Sequence, residues 1–330
     1  MRRLSGLTVL LLPLAALGAG CKPNLGAPPS LVTAPSILAI RGMPPEAIEG
    51  GPVTYDVLAV DAMGTVAAPH IGWLQCLDPD APAEVNDVSS SCLTEEPDDA
   101  GPSPTFMAAI PTNACMLFGP ETPSPMPGQP PQRPADPDTT GGFYQPIRGT
   151  WEIADDVDGG AASPLVAFAL ERITCPLLQA PGPDATQFAM SYVPNNNPTL
   201  ADLVLDPSGT NTALYTAGQA AAPQPAAAAA AGQTYTLQAD FTADSAETFL
   251  YWDIVSRMLV NQRESLRVSW FATGGAFGLD TSGRTSAETE TFTQNSWTAP
   301  TTPGPVYFWA VLRDDRGGVD FAATEIDVTP

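Results

Sequence analysis

Short runs in which apolar and polar residues alternate, bounded by Gly, Pro and Asp, recur along this chain and predict a β protein. Val53, Tyr55, Val57 and Ala59 alternate with Thr54 and Asp56, and Asp61-Ala62-Met63-Gly64 supplies a turn after them. In the next run, His70 to Cys76, Ile71 and Trp73 share a face. Further on, Tyr235, Leu237, Ala239 and Phe241 alternate with Thr and polar neighbours, and Leu266, Val268 and Trp270 repeat the tryptophan-bearing strand. Val306 to Leu312 is apolar on both faces, as a central strand is. Asp314-Asp315-Arg316-Gly317-Gly318 turns the chain into Val319–Ala323, and the phase slips by one before Ile326 and Val328, which predicts a bulge. Phe249 to Val260 fits either a strand or a short helix.

These runs fall into two units with one order: a proline-led strand (from Pro35 and from Pro198), an alternating strand, a tryptophan strand and a late hairpin. Immunoglobulin-like sandwiches begin this way. The expected fold is therefore all-β, with two immunoglobulin-like β-sandwich domains at 35–178 and 197–330 joined by a connector at 179–196. Leu77 to Thr140 is an acidic, Pro-rich insertion without period, after which strand pattern returns at Gly142–Arg148, Thr150–Ile153 and Leu165–Cys175, with Asp155–Gly160 as a hairpin tip. The Ala-rich stretch 217–232, interrupted by Pro223 and Pro225, reads as a loop.

Before the first unit, Met1-Arg2-Arg3 leads an apolar run from Leu4 to Leu17 that ends in Gly18-Ala19-Gly20-Cys21. Two arginines, a short apolar core and small residues are the layout of a secretory signal over 1–20, too short for a spanning helix. Its end resembles the bacterial lipobox, although Leu17 stands one position further back than usual. That resemblance implies that Cys21 carries a lipid, with 21–34 as a flexible tether to the fold. Lys22 follows the cysteine where an inner-membrane retention signal would have Asp, so the expected location is the outer membrane or cell surface.

Composition narrows the partners. The formal net charge is −23 in 330 residues, which argues against nucleic acid as a partner, since phosphate binding needs a basic patch. The 37 prolines argue against long helices. Beyond Cys21, the even set Cys76, Cys92, Cys115 and Cys175 in an exported chain predicts two disulfides. Cys92 with Cys115 would close the long insertion, leaving Cys76 for Cys175; Cys76 with Cys92 and Cys115 with Cys175 would also close the loops.

Catalytic chemistry finds little support. His70 is the chain's one histidine, at the start of a strand beside Trp73, and no HExxH, GxSxG, phosphate-loop or dinucleotide motif occurs. No catalytic residue and no cofactor is assigned. Asp136 and Asp138, and Asp155, Asp156 and Asp158, are spaced with glycines as calcium ligands can be, although neither run has EF-hand spacing and such runs are more often solvated turns.

Ala34-Pro35-Ser36-Ile37-Leu38-Ala39-Ile40, Ile71-Gly72-Trp73-Leu74-Gln75-Cys76, Arg133 to Asp138 with Gly141 to Pro146, Asn197-Pro198, Val268-Ser269-Trp270-Phe271 and Asp314 to Gly318 resemble phrases in lipoproteins of myxobacteria and related Gram-negative bacteria. The resemblance covers most of the mature chain and implies immunoglobulin-like domains on the envelope. It brings no activity with it. The expectation is a lipid-anchored cell-envelope protein acting as a non-catalytic binding, adhesion or assembly module, held to the membrane through Cys21, with envelope proteins or surface glycans as partners. The alternative is an exported hydrolase, for example glycan-acting, using loop carboxylates such as Asp98-Asp99 or Asp155-Asp156.

Overall fold

The computed structural model describes residues 27–79, 88–97, 103–119, 142–153, 164–177, 180–206, 208–218 and 227–330. In chain order the first unit holds β1 (Ser36–Met43), β2 (Glu46–Ala47), β3 (Pro52–Asp61), β4 (Gly64–Thr65), β5 (Ile71–Gln75), the one-turn helix α1 (Ser91–Thr94), β6 (Thr105–Ala109), a second one-turn helix α2 (Ala114–Leu117), β7 (Gly142–Trp151) and β8 (Leu165–Thr174). One sheet contains β1, β3 and β6, with β4 folded back on β3; the other runs β2-β8-β7-β5.

After helix α3 (Gly182–Ser191), the second unit holds β9 (Leu200–Leu205), β10 (Thr212–Thr216), β11 (Ala227–Ala230), β12 (Thr234–Phe241), β13 (Thr248–Asp253), β14 (Met258–Arg263), β15 (Leu266–Ala272), β16 (Ala276–Phe277), β17 (Thr281–Arg284), β18 (Phe292–Thr298), β19 (Gly304–Asp314) and β20 (Val319–Thr329). Its sheets are β10-β9-β12-β18-β16 and β11-β20-β19-β15-β17, and β13–β14 is a separate hairpin.

Both units contribute early strands to both of their sheets, although in the second unit β10 intervenes and flanks β9 on the outside. β1 and β9 pair antiparallel with β3 and β12, whereas the short strands β2 and β11 run parallel to the last strand of the opposite sheet, β8 and β20. A short early strand parallel to the last strand, a tryptophan on the first long strand of the second sheet (Trp73, Trp270) and a closing hairpin make each an immunoglobulin-like sandwich. Alternation places Tyr55, Trp73 and Phe106 together in the first core, with ring centroids 5.9–6.4 Å apart. In the second core Trp297 meets Phe308 edge-on at 4.7 Å. Burying each such ring contributes about 1.5–3 kcal/mol.

Several expectations are corrected. The insertion hides a true strand, β6: Phe106 enters the core while Met107 points out, but five residues between Pro-rich flanks show too little alternation to be noticed. The connector contains α3, begun at Pro181 and held by Phe188 against Leu177 and Trp252. Ala227–Ala230 of the Ala-rich stretch is a strand, not loop, because the free edge of β20 supplies its hydrogen-bond partners and Ala229 is buried there. Phe249 to Val260 is the hairpin β13–β14, turned with Arg257 at φ 54°. Gly142–Arg148 and Thr150–Ile153 merge into the one strand β7 as far as Trp151.

The expected bulge in the last strand is absent: β19 and β20 pair without a break from Gly304↔Val328 to Arg313↔Val319. The apparent slip has another cause. Ala322, Ile326 and Val328 face the second core, while Val319 and Phe321 face the first sandwich. There they join Trp309 and Val311 of β19 against Val32, Ala39, Leu58 and Val60. β19 is apolar on both faces because one face meets its own partner sheet and the other meets the neighbouring sandwich.

Candidate functional site

The densest polar chemistry among the described residues lies where the two sandwiches meet. The β19–β20 turn carries Arg316 into this junction, and its guanidinium pairs with Glu264 and with Glu247 at 2.8 Å, donates to the Val193 carbonyl at 3.0 Å and lies 3.9 Å from Glu46. Arg172 of β8 approaches the same Glu46 at 3.1 Å and donates to the hydroxyls of Tyr144 and Tyr192, each at 3.1 Å. Tyr192 donates in turn to Glu46, as does Thr174 at 2.7 Å. Both arginines, Glu46 and Glu264 are buried. A charge taken this far from water stays ionised only when opposite charge and donors surround it.

The segment Asn195-Asn196-Asn197 ties this cluster to the chain between the sandwiches. The Asn195 N–H donates to Glu46 at 2.7 Å and its side chain to Asp314; Asn196 donates to Glu247 at 2.6 Å. Asn197 donates to the Gly42 carbonyl at 2.7 Å and accepts from the Val319 N–H at 2.8 Å, so one side chain touches both sandwiches. Arg313 adds a bond to the Leu38 carbonyl at 2.9 Å, and Arg41 bridges Asp56 at 2.6 Å and Asp320 at 2.7 Å. These contacts also cap carbonyls on the outer edge of β1, which would otherwise be open to another strand.

Beside the junction is a cavity of about 280 Å³ lined by Ile37, Ile40, Gly42, Ala167, Glu171 and Val319, among others. Glu171 is buried next to the Tyr55 hydroxyl, and burial pushes its carboxyl up to about 9, with Glu46 adding to the shift. Burial, then Asp314, pushes Glu264 up to about 7 against the pull of Arg316. Asp314 lines the same cavity as Glu171, but its oxygens are engaged by the N–H groups of Arg316 at 2.9 Å and Gly318 at 2.8 Å and by Asn195. A glycosidase-type pair needs one carboxyl as acid and a second, available one as base or nucleophile; here the second is committed to a turn.

The residues singled out from sequence lie elsewhere. Cys115 is bonded to Cys175, and Cys76 and Cys92 are buried thiols, so the expected pairing of Cys76 with Cys175 and Cys92 with Cys115 is overturned. The reason is topological. α2 carries Cys115 to the β8 end of the second sheet, and α1 carries Cys92 to the β5 end, next to Cys76. His70 is exposed just before β5. Cys21, Asp98, Asp99, Asp136, Asp138, Asp155, Asp156 and Asp158 lie outside the described residues. Among the described residues no group of three or more His, Cys, Asp or Glu could hold a metal ion, and no helix is long and apolar enough to cross a membrane. Sequence reasoning missed the junction. Its signals were an arginine inside an Asp/Gly turn and three consecutive asparagines, each of which reads as ordinary loop.

A contrasting surface lies at the tip of the β13–β14 hairpin. Ile254, Val255 and Met258 are 54%, 95% and 60% exposed within five residues. The hairpin is fixed near its base by Arg316 over the Phe249 ring and, one pair short of the turn, by Trp252 against Phe188 and Leu177. The exposed apolar tip thus follows directly on a packed pair.

No protein-family model matches the chain, and no curated protein matches it. Among solved structures, the chain is similar to the Yersinia pseudotuberculosis adhesin InvE, at 11% identity over 90% of this chain and 59% of that one, with a TM-score of 0.23. It is likewise similar to tandem Ig repeats of Dlar, at 11% identity over 90% and 99% of the two chains with a TM-score of 0.22, and to the C-terminal domain of the Streptococcus agalactiae AgI/II polypeptide BspA, at 8% over 89% and 99% with a TM-score of 0.23. This chain spans about three fifths of the InvE chain. The immunoglobulin-like assignment rests on strand order and on the parallel pairing of a short early strand of each unit, β2 and β11, with its last.

Proposed function

We propose that this chain is a lipid-anchored protein of the cell envelope, tethered through Cys21, and that its two sandwiches form a non-catalytic binding or adhesion module. The observation that carries the proposal is the division of labour between junction and hairpin. Buried ionisable groups at the junction are spent on holding the sandwiches together, while contiguous large apolar side chains are presented to solvent on a braced hairpin. Scattered exposed apolar residues are normal on a protein surface, whereas a cluster at a rigid projection is suited to contact with a partner. The partner we assign to it is an envelope protein that offers an apolar recess to Ile254, Val255 and Met258.

A photo-crosslinking residue at Val255 tests this in cells. It is expected to trap one discrete envelope protein, with loss of the adduct in Ile254→Asp; adducts spread over unrelated proteins, unchanged by that substitution, would overturn the binding surface. Metabolic labelling with an alkyne fatty acid tests the anchor separately: the wild type is expected to be labelled and Cys21→Ala not. The alternative reading, an exported hydrolase using loop carboxylates, requires turnover of a polysaccharide or ester; among the described residues Glu171, a buried strand carboxyl at a cavity, is the one to test, by loss of turnover in Glu171→Gln.

A further inference from the structure

Cys76 and Cys92 are thiols in this structure, but the fold holds them as a pair. Cys76 follows directly on β5, where its N–H donates to the Pro146 carbonyl at 3.0 Å and its carbonyl accepts from Gln145 at 3.0 Å. Cys92 lies in α1, and its carbonyl accepts from the Arg148 guanidinium, which also donates to the Glu95 carbonyl at 2.5 Å. Pro146, Gln145 and Arg148 all belong to β7, so a single strand fixes the backbone at both cysteines. Each side chain is buried, and both pack in one small group with Leu74, flanked by Val88 and Phe168. The same sandwich carries the Cys115–Cys175 bridge, and a chain with such a bridge matures where thiols are oxidised.

We propose that Cys76 and Cys92 are a second disulfide site, closed during folding by exchange with an external disulfide. The thiolate of one cysteine attacks a sulfur of the oxidant, a glutathione-type or oxidoreductase disulfide, and releases one thiol while forming a mixed disulfide. The second cysteine attacks the protein sulfur of that intermediate and releases the other thiol. The protein gives up two protons and two electrons, and the oxidant takes them up as it becomes two thiols. Burial raises both thiols above their usual range, which keeps them protonated and unreactive once α1 has docked. The bond therefore forms before the cluster closes. With it, the two ends of the β2-β8-β7-β5 sheet would each be stapled, Cys115–Cys175 at one and Cys76–Cys92 at the other.

The full chain, refolded from denaturant in a glutathione and glutathione-disulfide buffer, is alkylated without reductant in denaturant and then digested. Linked Cys76–Cys92 peptide is expected alongside linked Cys115–Cys175 peptide, whose presence certifies the oxidising conditions. Alkylated Cys76 and Cys92 beside a linked Cys115–Cys175 peptide would overturn the proposal. A second readout uses the Cys115→Ser/Cys175→Ser chain. Closing a loop of about 15 residues predicts that a reductant lowers its unfolding midpoint by about 6–12 °C, and an unchanged midpoint would count against the bridge.

Discussion

The guanidinium of Arg316, in the β19–β20 turn, lies 4.6 Å above the ring of Phe249 at the foot of the β13–β14 hairpin. One side chain thereby connects the closing turn of the second sandwich, the projecting hairpin and, through Glu46, the first sandwich. Replacing it with methionine would keep the stack but leave Glu264 buried without its cation. Removing one partner from a buried ion pair costs about 3–5 kcal/mol, so Arg316→Met is expected to lower the denaturation midpoint in urea by a corresponding amount. Small-angle scattering should also show a wider range of angles between the sandwiches, since the link from Arg316 to Glu46 is lost while the apolar contact at Trp309 and Val311 and the Arg41–Asp320 bridge remain.

Gly142 opens β7 because the guanidinium of Arg172 occupies the space where any other residue would carry its Cβ. Gly142→Ala must displace that guanidinium from Glu46, Tyr144 and Tyr192. A loss of about 2–4 kcal/mol is expected from the disturbed buried pair, read by chemical denaturation. Gly182→Ala, at a position with open space around it, is the matched control and should be neutral or slightly stabilising.

The buried carboxyls set the pH dependence. Glu171 and Glu264 rise from 4.5 to about 9 and about 7 in the folded state. Each therefore holds its proton more tightly folded than unfolded. The stability this contributes is complete below about pH 4.5 and is lost as pH rises through 7 for Glu264 and through 9 for Glu171. Glu171→Gln should match the wild type near pH 4.5 and exceed it increasingly up to about pH 9, with the gap constant above that. Urea denaturation across this range checks it; a gap that shrinks with rising pH would contradict the protonated state of Glu171.

The period-two alternation and the two tryptophan strands sufficed to predict the sandwiches, because one side of each strand faces a core and the other faces water. Reading failed where that premise failed. β19 and β20 have no water-facing side next to the first sandwich, so Val319 and Phe321 looked like a slipped register. β11 is built from residues that are all alanine, and alternation has nothing to display there. The junction was illegible for a different reason. Arg316, Glu46 and Asn197 are polar residues in loops or very short strands, and only the tertiary fold reveals that they meet. The cysteines gave the count of thiols but not their partners, since pairing depends on where α1 and α2 dock.

Cys115–Cys175 closes a sequence separation of 60 residues in the first sandwich. A cross-link of that span restricts the unfolded chain by about 4 kcal/mol, and Cys115→Ala is expected to lose an amount of this order. The site is packed around the bridge: a Cβ on Gly119 would collide with the Cys175 sulfur and the Cys115 carbonyl, and the Cys115 N–H donates to Glu49 at 2.8 Å. Cys115→Ala should therefore loosen α2 locally as well as weaken the whole. Hydrogen exchange separates the two effects. Amides of α2 and of the Gly51–Ile110 pairing are expected to lose protection beyond the global change, while those of β19 and β20 should fall only by the global amount. Uniform loss across both sandwiches would instead mean that the bridge acts on the unfolded chain alone.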